Sequence, residues 1–169
     1  MTKDKGQTSA IALGSNLGDS RAILEAAISI LAAIPGISLL TRSSWYQTQA
    51  VGGAPQPDYI NGCALVQVTL PPQVLLETLL AIEAQKGRIR TERWGARSLD
   101  LDLLLYDDLI LDTPTLTIPH PRMRERAFVL VPLAEIAPNW IDPVTGKAIA
   151  ELVKAVDCTG VRKLVIDNW

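Results

Sequence analysis

The segment 99–106, in which leucine alternates with aspartate over 99–103, constrains the fold of this chain more than any other feature. Successive side chains of a β-strand point to opposite faces, so a strand here would place Asp100 and Asp102 side by side on one face. The opposite face, which is predicted to enter a hydrophobic core, would then carry Leu99, Leu101, Leu103 and Leu105. The two carboxylates would stand over an uncovered face. Paired carboxylates at this distance favour binding of a divalent cation.

An ordinary half-buried strand with a wet polar face would explain the alternation by itself. The distribution of basic residues favours a binding site instead, because half of the 16 lysines and arginines fall in two short segments around the strand. These residues are Lys86, Arg88, Arg90, Arg93, Arg97, Arg122, Arg124 and Arg126. Seven of the eight are arginines, whose planar guanidinium suits phosphate oxygens. Carboxylates for metal beside arginines for phosphate predict a magnesium-nucleotide site.

The bulk properties narrow the class of protein. A chain of 169 residues fits one domain over 1–169, with 1–7 as a flexible tail, and can bury about 70% of its unfolded surface. The two cysteines lack metal-ligand spacing and no leader segment is recognisable, so we expect a reducing cytoplasm. No apolar run approaches the roughly 20 residues of a membrane span. A net charge of -2 argues against a nucleic-acid partner. The oligomeric state stays open, with a monomer favoured.

The order of predicted elements matches one known arrangement. We expect strands over 8–13, 37–48 and 59–70, in addition to the Leu-Asp strand. The first helix ends at Pro35-Gly36 and the second begins at Pro71-Pro72 and stops at Gly87. Their predicted apolar stripes consist of Ile23, Leu24, Ala27, Ile28 and Leu31, and of Val74, Leu75, Thr78, Leu79 and Ile82. The order βαββαβ predicts an α+β, ferredoxin-like sheet with helices on one face. A C-terminal extension, with a helix over 147–156, is available to cover the other face.

Three further features bear on a nucleotide site. Neither a phosphate-binding loop of the Gly-rich Lys-Ser/Thr type nor the dinucleotide fingerprint is present, and the turn 14–18 is interpreted as helix capping by Asp19 or Ser20. His120 stands between two prolines, which favour an extended segment that holds the imidazole outward as a candidate phosphate contact. Trp94 lies in a glycine-flanked, arginine-bearing loop, where a gating or stacking role is plausible.

Five motifs together resemble, in order and spacing, the 6-hydroxymethyl-7,8-dihydropterin pyrophosphokinases of folate biosynthesis. They are GSNLGD at 14–19, PDYIN at 57–61, GR at 87–88, RWGARSLDLD at 93–102 and PHPRM at 119–123. The similarity covers about residues 8–140, and the fourth motif is highly specific.

The resemblance implies a Mg²⁺-dependent transfer of the β,γ-diphosphate of ATP to the hydroxymethyl group of the pterin, leaving AMP. Two magnesium ions are expected on Asp100 and Asp102, with ATP as co-substrate. The catalytic residues that it implies are Arg88, Arg97, Asp100 and Asp102. The implied ATP contacts are Arg88, Arg90, Arg97, Thr117, His120 and Arg126, with Arg90 and Trp94 in a closing loop. The implied pterin pocket consists of Thr48, Val51, Tyr59, Asn61, Trp94 and Phe128. Glu83 matches a family position near the site and receives no role.

Two other classes of function stay in competition. A ferredoxin-like RNA-binding module usually carries stacked aromatics within basic strands, whereas the two aspartates here would repel a phosphate backbone unless metal intervenes. Another Mg²⁺-dependent transferase could move the γ-phosphoryl group alone and release ADP. Only the family resemblance separates this last alternative from the pyrophosphokinase interpretation.

Overall fold

The computed structural model describes residues 6–16, 19–48, 58–86 and 99–164. Eight strands occur in this part of the chain: β1 Gln7–Ser15, β2 Ile37–Arg42, β3 Tyr46–Thr48, β4 Tyr59–Val68, β5 Asp100–Tyr106, β6 Leu111–Asp112, β7 Thr117–Ile118 and β8 Val161–Lys163. The helices are α1 Ser20–Ala33, α2 Pro72–Lys86, α3 Ala127–Ile136 and α4 Ile149–Lys154. A single 3₁₀ turn, Met123–Glu125, precedes α3. Among the described helices, none is long and apolar enough to cross a membrane.

The main sheet has the strand order β5-β1-β4-β3-β8, and β2 also pairs with β4. All of these pairings are antiparallel. If β2 and β3 count together as the second strand, this is the order of a ferredoxin-like sheet, so the predicted α+β class is confirmed. The predicted single strand 37–48 is two strands, because the chain leaves the ladder at 43–45. There Ser43 Oγ accepts a hydrogen bond from the Cys63 amide at 2.9 Å.

The helix α1 follows its sequence pattern closely. Asp19 caps its N-terminus by accepting a hydrogen bond from the Ala22 amide at 3.2 Å, as predicted. Four of the five residues of the predicted stripe, Leu24, Ala27, Ile28 and Leu31, are buried against the sheet. The helix ends just before Pro35-Gly36, where Gly36 has a φ of 91°, a left-handed conformation that favours glycine.

The helix α2 matches three of the five positions of its predicted stripe. Leu75, Leu79 and Ile82 are buried, whereas Thr78 is half-buried and Val74 is 41% exposed. One residue along a helix rotates the side chain by about 100°, which places Val74 outside the buried arc. The predicted stop at Gly87 lies outside the described residues.

Two hydrophobic cores lie on opposite faces of the sheet. The first core, beneath α1 and α2, includes Ile11, Val66, Leu99, Leu101 and Leu103. The second core lies beneath α3 and α4 and includes Ala10, Cys63, Leu104, Met123, Leu130 and Ile149. The helices of the predicted βαββαβ unit therefore share one face, and the C-terminal extension covers the other, as expected. The predicted helix 147–156 is shorter, at Ile149–Lys154.

A β-bulge interrupts the alternation of β5. Ile11 pairs with Leu103 and Ala10 pairs with Leu105, so Leu104 is the extra residue on β5. Leu105 consequently belongs to the second core. The prediction that Leu105 shares a face with Leu99, Leu101 and Leu103 is wrong, because the bulge shifts the strand by one residue after the aspartates.

Candidate active site

Two cavities meet at the aspartate pair. The first cavity has a volume of about 350 Å³, and its walls include Thr48, Tyr59, Asn61, Arg126 and Phe128. The second cavity has a volume of about 430 Å³, and its walls include Leu80, Glu83, Thr117 and His120. Asp100 and Asp102 line both cavities. The two carboxylates therefore stand at the border between two spaces of different chemical character.

The sheet presents the two aspartates towards open space. Asp100 pairs with Gly14 of β1, and Asp102 pairs with Ala12. These small neighbours leave room beside both carboxylates, and the Asp102 side chain is 40% exposed. The donor set fits Mg²⁺, which takes one or two carboxylates and keeps the rest of its shell for water and phosphate oxygens. Within the described ranges, no cluster of three or more His, Cys, Asp and Glu side chains competes as a metal site.

Glu83 stabilises the backbone between the two aspartates. This residue of α2 is only 5% exposed, and its Oε2 accepts a hydrogen bond from the Leu101 amide at 2.7 Å. β5 lies at the edge of the sheet order, so this amide finds its acceptor on a helix. The family resemblance placed Glu83 near the site without a role. The position of this glutamate on the side of α2 that faces the sheet was the signal that could have indicated its role.

Glycine 14 permits the close approach of Asn61 in the first cavity. A Cβ at Gly14 would lie 2.7 Å from Asn61 Oδ1, which is closer than carbon and oxygen can pack. Asn61 is 7% exposed and its Nδ2 contacts Thr48 Oγ1 at 3.4 Å. The interpretation of the turn 14–18 as helix capping is confirmed for Asp19 but omits Gly14, which lines the cavity.

His120 and Arg126 both lie close to Asp102, His120 in the wall of the second cavity and Arg126 in the wall of the first. The His120 amide donates to Leu104 O at 2.9 Å, which ties this segment to β5. Burial lowers the pKa of His120, with Asp102 acting in the opposite direction, and its Nδ1 accepts from the Arg122 amide at 3.2 Å. A neutral imidazole in this arrangement carries its proton on Nε2. Arg126 Nη1 lies 4.0 Å from Asp102 Oδ2, and its guanidinium lies 5.6 Å from the Phe128 ring centre.

The arginines of the second basic segment do not act as one group. Arg122 pairs with Glu125 at 3.8 Å on the surface, and Arg124 is bound by the buried Asp142. Arg126 lines the first cavity. The general expectation of arginines for phosphate therefore does not extend to Arg124, which is bound to a carboxylate.

Several predicted site residues lie outside the described residues. These are Val51, Arg88, Arg90, Trp94 and Arg97. The remaining ones surround the aspartate pair: Thr48, Tyr59, Asn61 and Phe128 line the first cavity, while Thr117 and His120 line the second.

A ferredoxin-like sheet that carries two carboxylates between two cavities, with cationic groups beside them, defines a class of Mg²⁺-dependent phosphate-transferring enzymes. The profile of the 7,8-dihydro-6-hydroxymethylpterin-pyrophosphokinase (HPPK) family matches residues 10–138. The chain belongs to this family. It is therefore a diphosphotransferase of folate synthesis that acts on hydroxymethyldihydropterin with ATP as co-substrate, which confirms the class expected from the sequence.

Three curated relatives share the name 2-amino-4-hydroxy-6-hydroxymethyldihydropteridine pyrophosphokinase. The relative from Synechocystis sp. is 56% identical over 151 residues, covering 89% of this chain and 77% of the relative. The relative from Methylorubrum extorquens is 42% identical, covering 91% of this chain and 96% of its own. The Haemophilus influenzae protein is 45% identical, covering 87% and 91%.

Solved structures share the fold. An HPPK-DHPS crystallised in complex with substrates superposes with a TM-score of 0.75 at 11% identity, covering 96% of this chain and 47% of that one. Wild-type Plasmodium falciparum HPPK-DHPS gives a TM-score of 0.69 at 13% identity, covering 91% and 45%. The chain thus spans about half the length of these proteins. At such identities the likeness supports the fold alone.

Proposed function

We propose that the first cavity binds 6-hydroxymethyl-7,8-dihydropterin, that the second binds ATP, and that the β,γ-diphosphate passes between them at Asp100 and Asp102. The observation that carries this proposal is that both cavities share these two carboxylates as a wall. Transfer without release requires the acceptor hydroxyl and the β-phosphorus to meet at one point. A shared wall provides such a point.

The chemistry of the first cavity suits a flat, polar heterocycle. Tyr59 and Phe128 offer aromatic faces, and the buried Asn61 offers an amide edge with both donor and acceptor atoms. Thr48 adds a hydroxyl beside the amide. In this proposal Val51 and Trp94 complete the pterin pocket.

The groups around the second cavity suit a polyphosphate. The neutral His120 can donate a hydrogen bond from Nε2 without bringing a charge, and Thr117 adds a hydroxyl. Arg126 supplies a positive charge on the far side of Asp102. In this proposal Arg88, Arg90 and Arg97 bind the phosphates from the loop that closes over ATP and excludes water, and Arg88 and Arg97 also act in catalysis.

Asp100 and Asp102 would hold two Mg²⁺ ions when the substrates are bound. The ions would neutralise the triphosphate and orient the acceptor hydroxyl, a role that phosphoryl transfer requires from its metals. The chain's own groups then have defined tasks: Glu83 fixes the strand that carries the aspartates, and Arg126 balances charge beside Asp102.

We further propose that the protein is a monomer in the cytoplasm, which size-exclusion chromatography with light scattering and cell fractionation would test.

Product analysis tests the proposed reaction. The purified protein is incubated with ATP, Mg²⁺ and 6-hydroxymethyl-7,8-dihydropterin, and nucleotides and pterins are separated by chromatography. We expect AMP and the pterin diphosphate to form in equal amounts and to require both the pterin and Mg²⁺. Formation of ADP would indicate transfer of the γ-phosphoryl group alone. Turnover that does not depend on the pterin would contradict the proposed substrate.

A further inference from the structure

The arginine that the site does not use is held by a fully buried carboxylate. Arg124 Nη2 donates to Asp142 Oδ1 at 3.0 Å, and Arg124 Nε donates to Asp142 Oδ2. The Asp142 side chain is 0% exposed and also accepts from the Val144 amide at 3.0 Å and from Thr145 Oγ1 at 2.9 Å. Burial alone would raise the pKa of Asp142, but these hydrogen bonds outweigh it and lower the pKa below its ordinary value.

Arg124 lies between two residues of the candidate site, His120 and Arg126. It is the central residue of the 3₁₀ turn Met123–Glu125, which follows His120 and leads directly into Arg126. The Met123 amide donates to His120 O at 3.2 Å, and the Arg126 amide donates to Met123 O at 3.3 Å. Hydrogen bonds thus run from His120 to Arg126, and we call this segment the 120–126 arm. A shift of Arg124 would displace both ends of the arm.

The carboxylate that holds the arm belongs to a rigid part of the C-terminal extension. Asp142 begins a tight turn in which its amide donates to Lys147 O at 2.9 Å and its carbonyl accepts from the Gly146 amide at 2.8 Å. The helix α4 follows this turn, and its residue Ile149 is fully buried in the second core. The arm is therefore attached to a platform that is itself packed against the sheet.

We propose that Asp142 is a positioning residue for the transfer reaction, acting through Arg124 to hold His120 and Arg126 in register with the phosphates of ATP. This proposal rests on the proposed assignment of ATP to the second cavity. The pair is bidentate and buried on the side of Asp142, so removal of either partner leaves an uncompensated charge and releases the arm. A displacement of about 1 Å at a substrate-orienting group can reduce a rate about 100-fold. The C-terminal extension thus contributes to nucleotide binding without touching the nucleotide.

The variant Asp142→Asn tests the proposal, because asparagine keeps the shape of the side chain but presents an amide to Arg124 Nε. We expect the Kd of the Mg²⁺ complex of α,β-methylene ATP, measured by calorimetry, to rise about tenfold, and kcat/KM for ATP to fall about tenfold. The KM for the pterin should rise less than the KM for ATP, because among the described residues of the first cavity only Arg126 belongs to the arm.

The matched control is Glu25→Gln, which breaks another bidentate pair far from the arm. Arg42 Nη1 and Nη2 bind Glu25 Oε1 and Oε2, each at 2.7 Å, and neither residue lines the two cavities. We expect this variant to lower the Tm and to leave the Kd of the analogue within about twofold of wild type.

Two results would overturn the proposal: an Asp142→Asn protein that binds the analogue as wild type does, or a Glu25→Gln protein that loses as much affinity. If circular dichroism shows that Asp142→Asn does not fold, Arg124→Lys is tested by the same criteria, because lysine keeps the charge but loses the planar fork. A wild-type protein that binds the analogue yet forms no AMP when ATP and the pterin are both supplied would contradict the proposed function alone. The comparison of analogue affinities would still decide the role of Asp142.

Discussion

Asp100 and Asp102 have different surroundings, although the strand alternation makes them equivalent in sequence. Asp100 faces Gly14 across the β1 ladder. Asp102 faces Ala12 and has Arg126 at 4.0 Å and His120 within electrostatic reach. A cation bound between them would therefore contact two carboxylates in different settings. Asp102 has the positive charge of Arg126 nearby, whereas Asp100 lies on the side of Glu83 and α2.

Replacing either aspartate with asparagine should abolish most of the activity. Asp100→Asn and Asp102→Asn each remove a charge from the proposed metal site at constant size, and we expect kcat to fall by at least about 1,000-fold, or about 4 kcal/mol of transition-state stabilisation. Steady-state assays over a range of Mg²⁺ concentrations measure this effect. Asp108→Asn, in the exposed turn after β5, is the control and should keep its turnover. Near-native rates for either variant would remove that residue from the metal site.

Substitution of Gly14 with alanine should weaken pterin binding. The new Cβ would lie 2.7 Å from Asn61 Oδ1, so the amide must move away from the first cavity. We expect the KM for the pterin to rise about tenfold with little change in the KM for ATP. Gly160→Ala is the matched control, because a Cβ there meets nothing within 4 Å. Equal effects of the two substitutions on the pterin KM would contradict this role of Gly14.

The roles of some residues can be predicted from the local sequence pattern, whereas the roles of others depend on contacts with residues far away in the chain. The shared face of Tyr59 and Asn61, and that of Asp100 and Asp102, follow from strand alternation alone. The role of Arg124 does not follow from the local pattern, because its partner Asp142 lies 18 residues further along the chain. Nothing in the local sequence distinguishes Arg124 from Arg126.

At the scale of elements, Glu83 joins α2 to the catalytic strand. Its carboxylate accepts the Leu101 amide at 2.7 Å, and Leu79 and Ile82 pack the same side of α2 into the first core. The hydrogen bond from the Leu101 amide to Glu83, within an apolar interface, thus fixes the position of β5 along α2. This contact lies at the end of β5 that carries the aspartates.

Glu83→Ala should destabilise the fold and weaken Mg²⁺ binding together. It leaves the buried Leu101 amide without this acceptor, which costs about 1–3 kcal/mol in the free energy of unfolding. Urea unfolding and a Mg²⁺ titration of activity measure the two effects. Glu77→Ala is the control on the same helix, since Glu77 is exposed and its contact to Gln73 is 3.3 Å long. An unfolding free energy equal for both variants would contradict the role of Glu83. Glu83→Gln keeps an acceptor and isolates the effect of the charge.

The start or end of a helix or strand could be predicted from the sequence where neighbouring residues determine it. Asp19 and the pair Pro35-Gly36 delimit α1 through local capping and backbone preference. The break between β2 and β3 could not be predicted in this way, because it depends on a hydrogen bond that Ser43 Oγ accepts from the Cys63 amide of another strand. The bulge at Leu104 likewise depends on the register with β1. Both features arise from pairing between distant segments, which no local periodicity encodes.

At the scale of the whole molecule, three further carboxylates bind residues that are distant from them in the sequence. Glu25 of α1 binds Arg42 and the Trp45 indole, and Glu135 of α3 binds Ser44 and the Tyr46 hydroxyl. Asp142 binds Arg124. The pKa of Glu25 is lowered to about 2, mainly by its hydrogen bond to Arg42, and that of Glu135 is also lowered, because bonds from Tyr46 and Ser44 outweigh its burial.

The protein should therefore lose stability in acid before its ordinary carboxylates are fully protonated. A carboxyl group whose pKa is lower in the folded state stabilises the fold above its unfolded pKa, and this stability is lost as the pH falls through the folded pKa. For Glu25 that window runs from 4.5 down to about 2. We expect the urea midpoint to fall steadily below pH 4.5, with a shallower slope for Glu25→Gln. A midpoint that does not change down to pH 3 would contradict this linkage.

The bulge at Leu104 has a consequence for how β5 can vary. The aspartates and the leucines at 99, 101 and 103 share one reading frame of in-and-out alternation, and Leu105 begins another. Substitutions that keep the number of residues leave both frames intact. Deletion of Leu104 would remove the bulge and merge the two frames into one regular alternation, in which Asp102, Leu103, Leu105 and Tyr106 keep their present faces. The bulge is therefore a place where β5 can lose a residue without moving either carboxylate to the other face.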